Sequence, residues 1–531
     1  MDSIEADVIV IGSGVAGAMT AWSLAGKGAK VVILEAGPRI RRADIVRKFT
    51  QSHKFDFSSG FPNEDWAPRP DWQGGGEPYF EQTGPQKSNI EYLRVVGGTT
   101  WHWDGSCSRL LPVDMRLKRA YGVGHDWPFD YAALEPFYCR AEKEMGVAGG
   151  GNAEPGSPRS RPYPLPPVPL SYSDKIVAAG LEKIGIAPAP QPAARNTLAY
   201  DGRSRCMGFG TCSPICPSGA QYGGMVHVQK AEKLGVAVLE NTRVDRIVAD
   251  HAGRITAAHA KKPDGTEVTA RGRIFVLAAN GIETSRLLLM SASESLPKGL
   301  ANGSGRVGRN FFDHPGLIMR LRMPKPVYPR GPHETMGSGT FRDGPFRKER
   351  SAWAIKVLSR PYAHETANEA LQEGLEPPAL DAAIRDRVSR HVDITSQMEQ
   401  LPRPENGIAL DWTRRDRAGQ PLMRFHYSFS DYERAAFTEC RKVFRRIAAA
   451  LGAETVSVNG PWSHHHPQGM AMMGEEAKTS VVDPWCRSHD HPNLFLTGSA
   501  VFPSCGTVSP TLTIAAVALR TAEEIARQLK S

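Results

Sequence analysis

Ala6-Asp-Val-Ile-Val-Ile-Gly12-Ser-Gly14-Val-Ala-Gly17 is the stretch from which the architecture can be read. Ala6–Ile11 is a short run rich in β-branched apolar residues, the glycines break it, and Ala18–Leu24 has helical composition. Val31–Leu34 is a second apolar run and ends at Glu35. Strand, glycine turn, helix and strand in this order make a βαβ unit of the parallel-sheet kind. Gly12 permits the tight turn, Gly14 lets backbone approach a pyrophosphate, and Gly17 lets helix and strand pack closely. The helix N-terminus then faces phosphate charge. Glu35, eighteen residues past Gly17, stands where a carboxylate can bind ribose hydroxyls. A dinucleotide is expected. NAD and FAD share this pattern, and these residues alone do not choose between them.

Around this unit the chain has 531 residues, too many for one compact core and enough for two or three lobes. Its 40% hydrophobic and 23% charged residues are those of an ordinary soluble protein. No apolar run is long enough to cross a bilayer, and the N-terminal residues lack the pattern of a signal peptide. The net charge of +9 is spread along the chain without a dense Lys/Arg block, which argues against a nucleic-acid partner. Eight cysteines are too sparse for a disulfide scaffold, yet Cys206, Cys212 and Cys216 fall within eleven residues.

Residues 53–90 are rich in Gly, Pro and aromatics and read as an irregular excursion, and 150–170 read as a surface linker. Strands are expected at Ala237–Leu239 and Ile274–Ala278, a helix over Tyr432–Leu451, a strand at Leu494–Thr497 and a helix over Thr511–Leu529. No internal repeat is present.

Further segments carry a family resemblance. Glu35-Ala-Gly-Pro38, Arg94-Val-Val-Gly97-Gly98-Thr-Thr-Trp-His102-Trp103, Asn280-Gly-Ile-Glu-Thr-Ser-Arg286 and Gly308-Arg-Asn-Phe-Phe-Asp-His-Pro315 come in order along the chain. They are followed by His466-Pro-Gln-Gly469 and Gly506-Thr-Val-Ser509-Pro510-Thr511-Leu-Thr513. Together they resemble the glucose-methanol-choline (GMC) oxidoreductases over almost the whole length. Within the family the resemblance is strongest to the large subunits of bacterial membrane-bound glucose, gluconate, fructose and sorbitol dehydrogenases. It implies FAD as the dinucleotide, with Gly97, Gly98, His102, Val244, Ser499, Pro510 and Thr511 joining Gly12, Gly14, Gly17 and Glu35 at the cofactor. The fold class it implies is α/β, α+β overall. A Rossmann-like FAD-binding domain (1–160, 221–320 and 456–531) is joined to a substrate-binding domain (321–455) built on a mixed or antiparallel sheet. Residues 161–220 are a linker and iron–sulfur segment.

Oxidising a carbinol requires a base for the hydroxyl proton while hydride leaves the same carbon, and histidine titrates in the right range. His466, three residues before Gly469, has the spacing of the family's catalytic histidine. His464 and His465 adjoin it, but consecutive side chains of a strand alternate faces, so a three-histidine metal site is not expected. They read as pocket walls or surface residues. Where the family has a second His or Asn, this chain has Ser509, a poor base at neutral pH. That puts proton transfer on His466 and leaves open whether His465 compensates. Thr511 opens a helix whose N-terminus would favour the negative charge of a reduced flavin. His102 matches the family's histidine that can bond the flavin 8α-methyl group; the alternative is a ring packed on the flavin between Trp101 and Trp103. The same segment also resembles pyranose 2-oxidases.

Cys206 and Cys212 have five residues between them, Cys212 and Cys216 three, and Pro217 follows. Three thiolates with no fourth, ending Cys-x3-Cys-Pro, suit a 3Fe-4S cluster. Zinc favours shorter pairs and four ligands, and a disulfide would strand one thiol. The resembling sugar dehydrogenases have such a segment, some with an extra Cys where this chain has Met207. The resemblance therefore implies a dehydrogenase of a sugar, polyol or aldonate whose electrons pass through the cluster to a membrane cytochrome c subunit. It also implies a small export subunit and a place on the periplasmic face of the bacterial inner membrane. The alternatives are a soluble pyranose or C-glycoside 3-oxidase with structural cysteines, and a flavin-binding scaffold without catalysis.

Overall fold

A computed structural model of the protein describes residues 2–52, 60–70, 79–150, 156–360 and 362–530. The excursion expected over 53–90 and the linker over 150–170 therefore lie outside the described residues at 53–59, 71–78 and 151–155. β1 (Asp2–Ile11), α1 (Val15–Ala25) and β2 (Val31–Leu34) form the expected unit, parallel in register with Val8 opposite Val31. Val8 and Val10 pack towards α1 and the C-terminal helix Thr511–Lys530, while Ile9 and Ile11 enter a second core on the opposite face. Burial on both faces explains the unbroken apolar run. Each such side chain, at 0% exposure for Val8, Ile9 and Val10, stabilises the fold by roughly 1.5–3 kcal/mol.

β1 also pairs in parallel with Glu267–Leu277, which carries Leu494–Leu496 in parallel as well. Antiparallel strands Ile255–Lys261 and Arg243–Ala249 complete a seven-stranded mixed sheet, with Ala237–Leu239 beyond β2. Because β1, Glu267–Leu277 and Leu494–Leu496 run the same way, their carboxyl ends reach one edge together. Ligands of open α/β sheets bind at that edge.

A second sheet of six strands is antiparallel throughout, in the order Glu454–Ser463, Pro315–Arg322, His391–Met398, Trp353–Leu358, Met336–Ser338 and Ala189–Pro190. Antiparallel pairing closes it with segments leading into and out of the 321–455 stretch. Its two faces differ because side chains alternate along a strand. Leu317, Met319, Ile355, Val357, Val392 and Ile394 join a core with the helix Asp431–Leu451. Ile318, Arg320, Lys356, Leu358 and Thr395 face the other way, into a cavity. The helix starts where expected because Ser430 caps it: its N–H donates to Glu433 at 2.7 Å. Among the described residues no helix is long and apolar enough to cross a membrane.

Candidate active site

The cavity between the two sheets measures about 600 Å³. One wall is the carboxyl edge of the first sheet, with Gly14, Ala278, Asn280, Gly498 and Ser499, joined by Thr99, Thr100 and His102 and by Pro510 and Thr511. Thus Gly14, His102, Ser499, Pro510 and Thr511 meet in one place. Gly12 has φ +99°, and a Cβ on Gly17 would lie 2.0 Å from the Gly12 carbonyl oxygen, so the turn and the close helix contact both require glycine. A Cβ on Gly14 would meet nothing within 4 Å, so Gly14 offers bare backbone to open space. The N-terminus of α1 has no side-chain cap. This is a cradle for an anion, and the residues fit a dinucleotide. Gly97 donates its N–H to the Ser13 hydroxyl at 3.1 Å, and a Cβ on Gly98 would come within 2.9 Å of the Gly14 Cα.

Glu35 is buried behind the turn, where its carboxylate accepts the N–H groups of Ser13 at 2.9 Å and Gly37 at 3.0 Å. Val244 is buried on the strand Arg243–Ala249, close to where the Thr242 N–H donates to the Glu35 carbonyl at 2.8 Å. Glu35 and Val244 lie near each other but do not line the cavity.

His464, His465 and His466 follow the strand Glu454–Ser463 instead of lying on it. The alternation expected for a strand therefore does not apply. His465 takes φ +59°, and all three histidines line the cavity as half-buried side chains, none on the outer surface. The fully buried Asp313 holds this turn: its carboxylate accepts the N–H groups of His314 at 2.7 Å and His466 at 2.9 Å, and the Ser463 hydroxyl through a short bond. Burial pushes the Asp313 carboxyl up.

His314 Nδ1 lies 3.0 Å from His466 Nδ1, and His314 Nε2 lies 3.1 Å from the Gly506 carbonyl. Burial, with the Lys356 charge adding, pushes His314 down to about 3, so it is neutral. A carbonyl only accepts, so His314 Nε2 carries the proton and Nδ1 is bare; His466 Nδ1 must then be the donor. His466 Nε2 is left as a lone pair that no described residue bonds. Burial, then the neighbouring histidines and Lys356, hold His466 well below its ordinary value and hence uncharged. Asp313, His314 and His466 offer ligand atoms within 4.8 Å of one another. Their hydrogen bonds already engage the carboxylate and both facing nitrogens, which favours proton handling over metal binding.

Ser509 sits with its hydroxyl oxygen 3.4 Å from Lys356 Nζ and 3.5 Å from Gln397 Oε1. His465 Nδ1 accepts the Glu91 N–H at 3.1 Å. The group placed against Ser509 is therefore Lys356. Sequence reasoning missed it, although a single lysine within Trp353-Ala-Ile-Lys-Val-Leu358 was a signal, because a charge inside an apolar strand needs a reason. It also missed His314, which sits inside a segment quoted above for its resemblance alone.

His102 faces the cavity with Phe61 edge-on at 5.8 Å. Trp103 lines the cavity too, but Trp101 does not: its Nε1–H donates to the Val96 carbonyl and Arg42 covers its ring at 5.0 Å. The His102 carbonyl accepts the Ser213 hydroxyl at 2.9 Å, which ties this loop to the cysteine segment. Cys206, Cys212 and Cys216 are free thiols lining one small recess with Gly208, Gly210 and Arg195. Gly208 and Gly210 have φ of +71° and +72° and let the loop curl there. Arg195 is 1% exposed and its Nε has no hydrogen-bond partner. Its guanidinium favours the thiolate of Cys212. Burial pushes the Cys212 thiol up; Arg195 and the donating His333 N–H oppose this. Three thiols around a buried cation and a backbone donor fit an anionic metal–sulfur group.

Two family profiles described as GMC oxidoreductase match residues 168–316 and 402–518, and one described as FAD dependent oxidoreductase matches 7–47. The chain is 38% identical to the fructose dehydrogenase large subunit of Gluconobacter japonicus, covering 100% of this chain and 99% of that one. It is 28% identical to the 6'''-hydroxyparomomycin C oxidase of Streptomyces lividus over 98% of this chain and 92% of the relative. Among solved structures, a formate oxidase of Aspergillus oryzae superposes with a TM-score of 0.66 at 15% identity, covering 100% and 99% of the two chains. The likeness thus runs the full length of the chain, and the chain belongs to the GMC oxidoreductases, FAD-dependent enzymes that oxidise alcohols.

Proposed function

We propose that this chain is the catalytic subunit of an FAD-dependent dehydrogenase that oxidises a carbinol of a sugar, polyol or aldonate. The observation that carries this reading is the open lone pair of His466 Nε2 in the cavity, in a chain similar over its full length to a fructose dehydrogenase large subunit. Gly12, Gly14, Gly17, Gly97, Gly98, Ser499, Pro510 and Thr511 hold FAD, with Glu35 and Val244 at its ribose end and His102 bonded to its ring. FAD, when bound, accepts the hydride. His466 takes the hydroxyl proton on Nε2, and His314 is a positioning residue that fixes the tautomer by accepting from Nδ1. The polar groups lining the cavity on the side of the second sheet, Arg320, Glu334, Lys356 and Arg360 among them, suit a substrate dense in hydroxyls.

Cys206, Cys212 and Cys216 hold a 3Fe-4S cluster, which supplies one-electron transfer when bound. The Ser213–His102 hydrogen bond supports this, because it couples the cysteine loop to the flavin-facing loop. The acceptor is then a membrane cytochrome c subunit. A small export subunit and a location on the periplasmic face of the inner membrane follow from the same reading. The test mixes anaerobically purified protein with a panel of sugars, polyols and aldonates and follows flavin bleaching, with metal analysis in parallel. We expect bleaching by members of that panel, about three irons per flavin and no stoichiometric zinc. Cys212→Ser should lose iron and cytochrome reduction but keep bleaching. Iron-free protein that consumes oxygen during sugar oxidation without added acceptor would replace this reading with a soluble oxidase.

A further inference from the structure

We propose that Lys356 is a second catalytic residue, whose ammonium holds the substrate oxygen while His466 removes its proton. The inference rests on the reading of His466 as the base. Strand alternation puts Ile355 and Val357 into the core beneath the second sheet and turns Lys356 and Leu358 to the cavity. Lys356 is 4% exposed, and its Nζ pairs with buried Glu334 at 2.9 Å. Glu334 itself has φ +47°, a conformation a non-glycine residue takes only where its surroundings hold it there. A lysine at this depth with a dedicated counter-charge is an expensive feature for a strand that packing alone would fill with valine.

An ammonium has three N–H donors and no acceptor. One meets Glu334 and one meets Ser509 Oγ at 3.4 Å; no described residue takes the third, and the side chain lines the cavity. Ser509 is the weaker donor of the two because its hydroxyl is neutral. Gln397 Nε2 donates to the Thr507 carbonyl at 3.1 Å, so the atom it turns to Ser509 is its carbonyl oxygen, a long contact at 3.5 Å. A neutral hydroxyl stabilises an oxygen that is becoming negative less than the charged third N–H of Lys356 does. In the reaction the hydroxyl proton goes to His466 Nε2 and the carbon's hydrogen leaves with two electrons for FAD, so the carbinol becomes a carbonyl. Negative charge collects on the oxygen in between, and a fixed cation beside it lowers the barrier. The same charge disfavours protonation of His466, His464 and His314, which keeps the base ready.

The test compares wild type with Lys356→Met, Lys356→Arg, the double variant Glu334→Gln/Lys356→Met and His466→Ala. The double variant leaves no buried carboxylate unpaired and stands in if the single change disturbs folding. Two quantities are read: the anaerobic rate of flavin reduction by a sugar that bleaches wild type, and the calorimetric affinity for acetate, an inert anion that meets the third N–H without turnover. With FAD content unchanged, we expect Lys356→Met and the double variant to slow reduction about a hundredfold, and Lys356→Arg to recover about tenfold or more. Acetate should bind wild type and bind the lysine-free variants at least about tenfold more weakly. Full-rate reduction in a lysine-free variant that holds FAD, or acetate affinity that ignores Lys356, overturns the proposal. If His466→Ala is slow while the lysine variants are not, only the role of Lys356 falls; if His466→Ala is also fast, the reading of the base falls with it.

Discussion

His314 donates from Nε2 to the Gly506 carbonyl and accepts from His466 at Nδ1, so one backbone oxygen sets the tautomer of two histidines. The chain of bonds leaves His466 Nε2 without a hydrogen-bond partner among the described residues. Removing the acceptor frees His466 to carry its proton on either nitrogen. His314→Leu should keep FAD yet slow flavin reduction roughly ten- to hundredfold, in the range lost with impaired acid–base catalysis. His314→Gln, whose amide oxygen can accept from Nδ1, should retain more. Equal rates for the two variants would mean that tautomer control has no part in the reaction.

His466→Ala should bind FAD and slow reduction by about a hundredfold or more. The wild-type pH profile supplies a second check. The base works when neutral, and His466 is held well below its ordinary value, so the rate should stay level as pH falls through about 6.5 and drop only at lower pH. A rate that halves near 6.5 would place the titrating base elsewhere.

Denatured wild-type protein should keep its flavin colour, and acid precipitation of His102→Ala should release it. His102 lines the cavity together with Gly14 and Thr100. Free flavin in the supernatant of precipitated wild type would leave His102 as a packing residue.

Stability should fall in mild acid, and His314 accounts for part of the fall. Its folded-state value is about 3 against about 6.5 when unfolded, so the unfolded chain binds an extra proton between those values. That contribution is whole above about 6.5 and is lost as pH drops towards 3, on the order of 2 kcal/mol by pH 5. Thermal melting of the FAD-loaded protein at pH 7.5 and pH 5 measures it, and His314→Gln should show a smaller difference between the two than wild type. An unchanged difference would show that His314 gains its proton without unfolding.

The nucleotide-binding half was legible because local rules decide it. Gly12 and Gly17 are demanded by backbone geometry within one turn, and Val8–Ile11 and Val31–Leu34 are apolar because both faces of their strands are covered. The helices over Asp431–Leu451 and Thr511–Lys530 follow from periodicity in the same way, and Ser430 caps the first of them. The place of His466 on the cavity accords with its motif.

What the sequence by itself determined is thus whatever depends on residues a few positions apart. The tertiary structure alone decided which groups converge on the cavity. His314 reaches His466 across 152 positions and Lys356 reaches Ser509 across 153, and no spacing rule spans such separations. The reading of His464–His466 as a strand failed for a related reason. Asp313, on a distant segment, captures the N–H of His466 and the hydroxyl of Ser463 and pulls the chain into a turn that local propensity does not encode. Hydrogen bonds made by buried groups are decided by what folding brings beside them, because each buried donor or acceptor must find a partner wherever the fold supplies one.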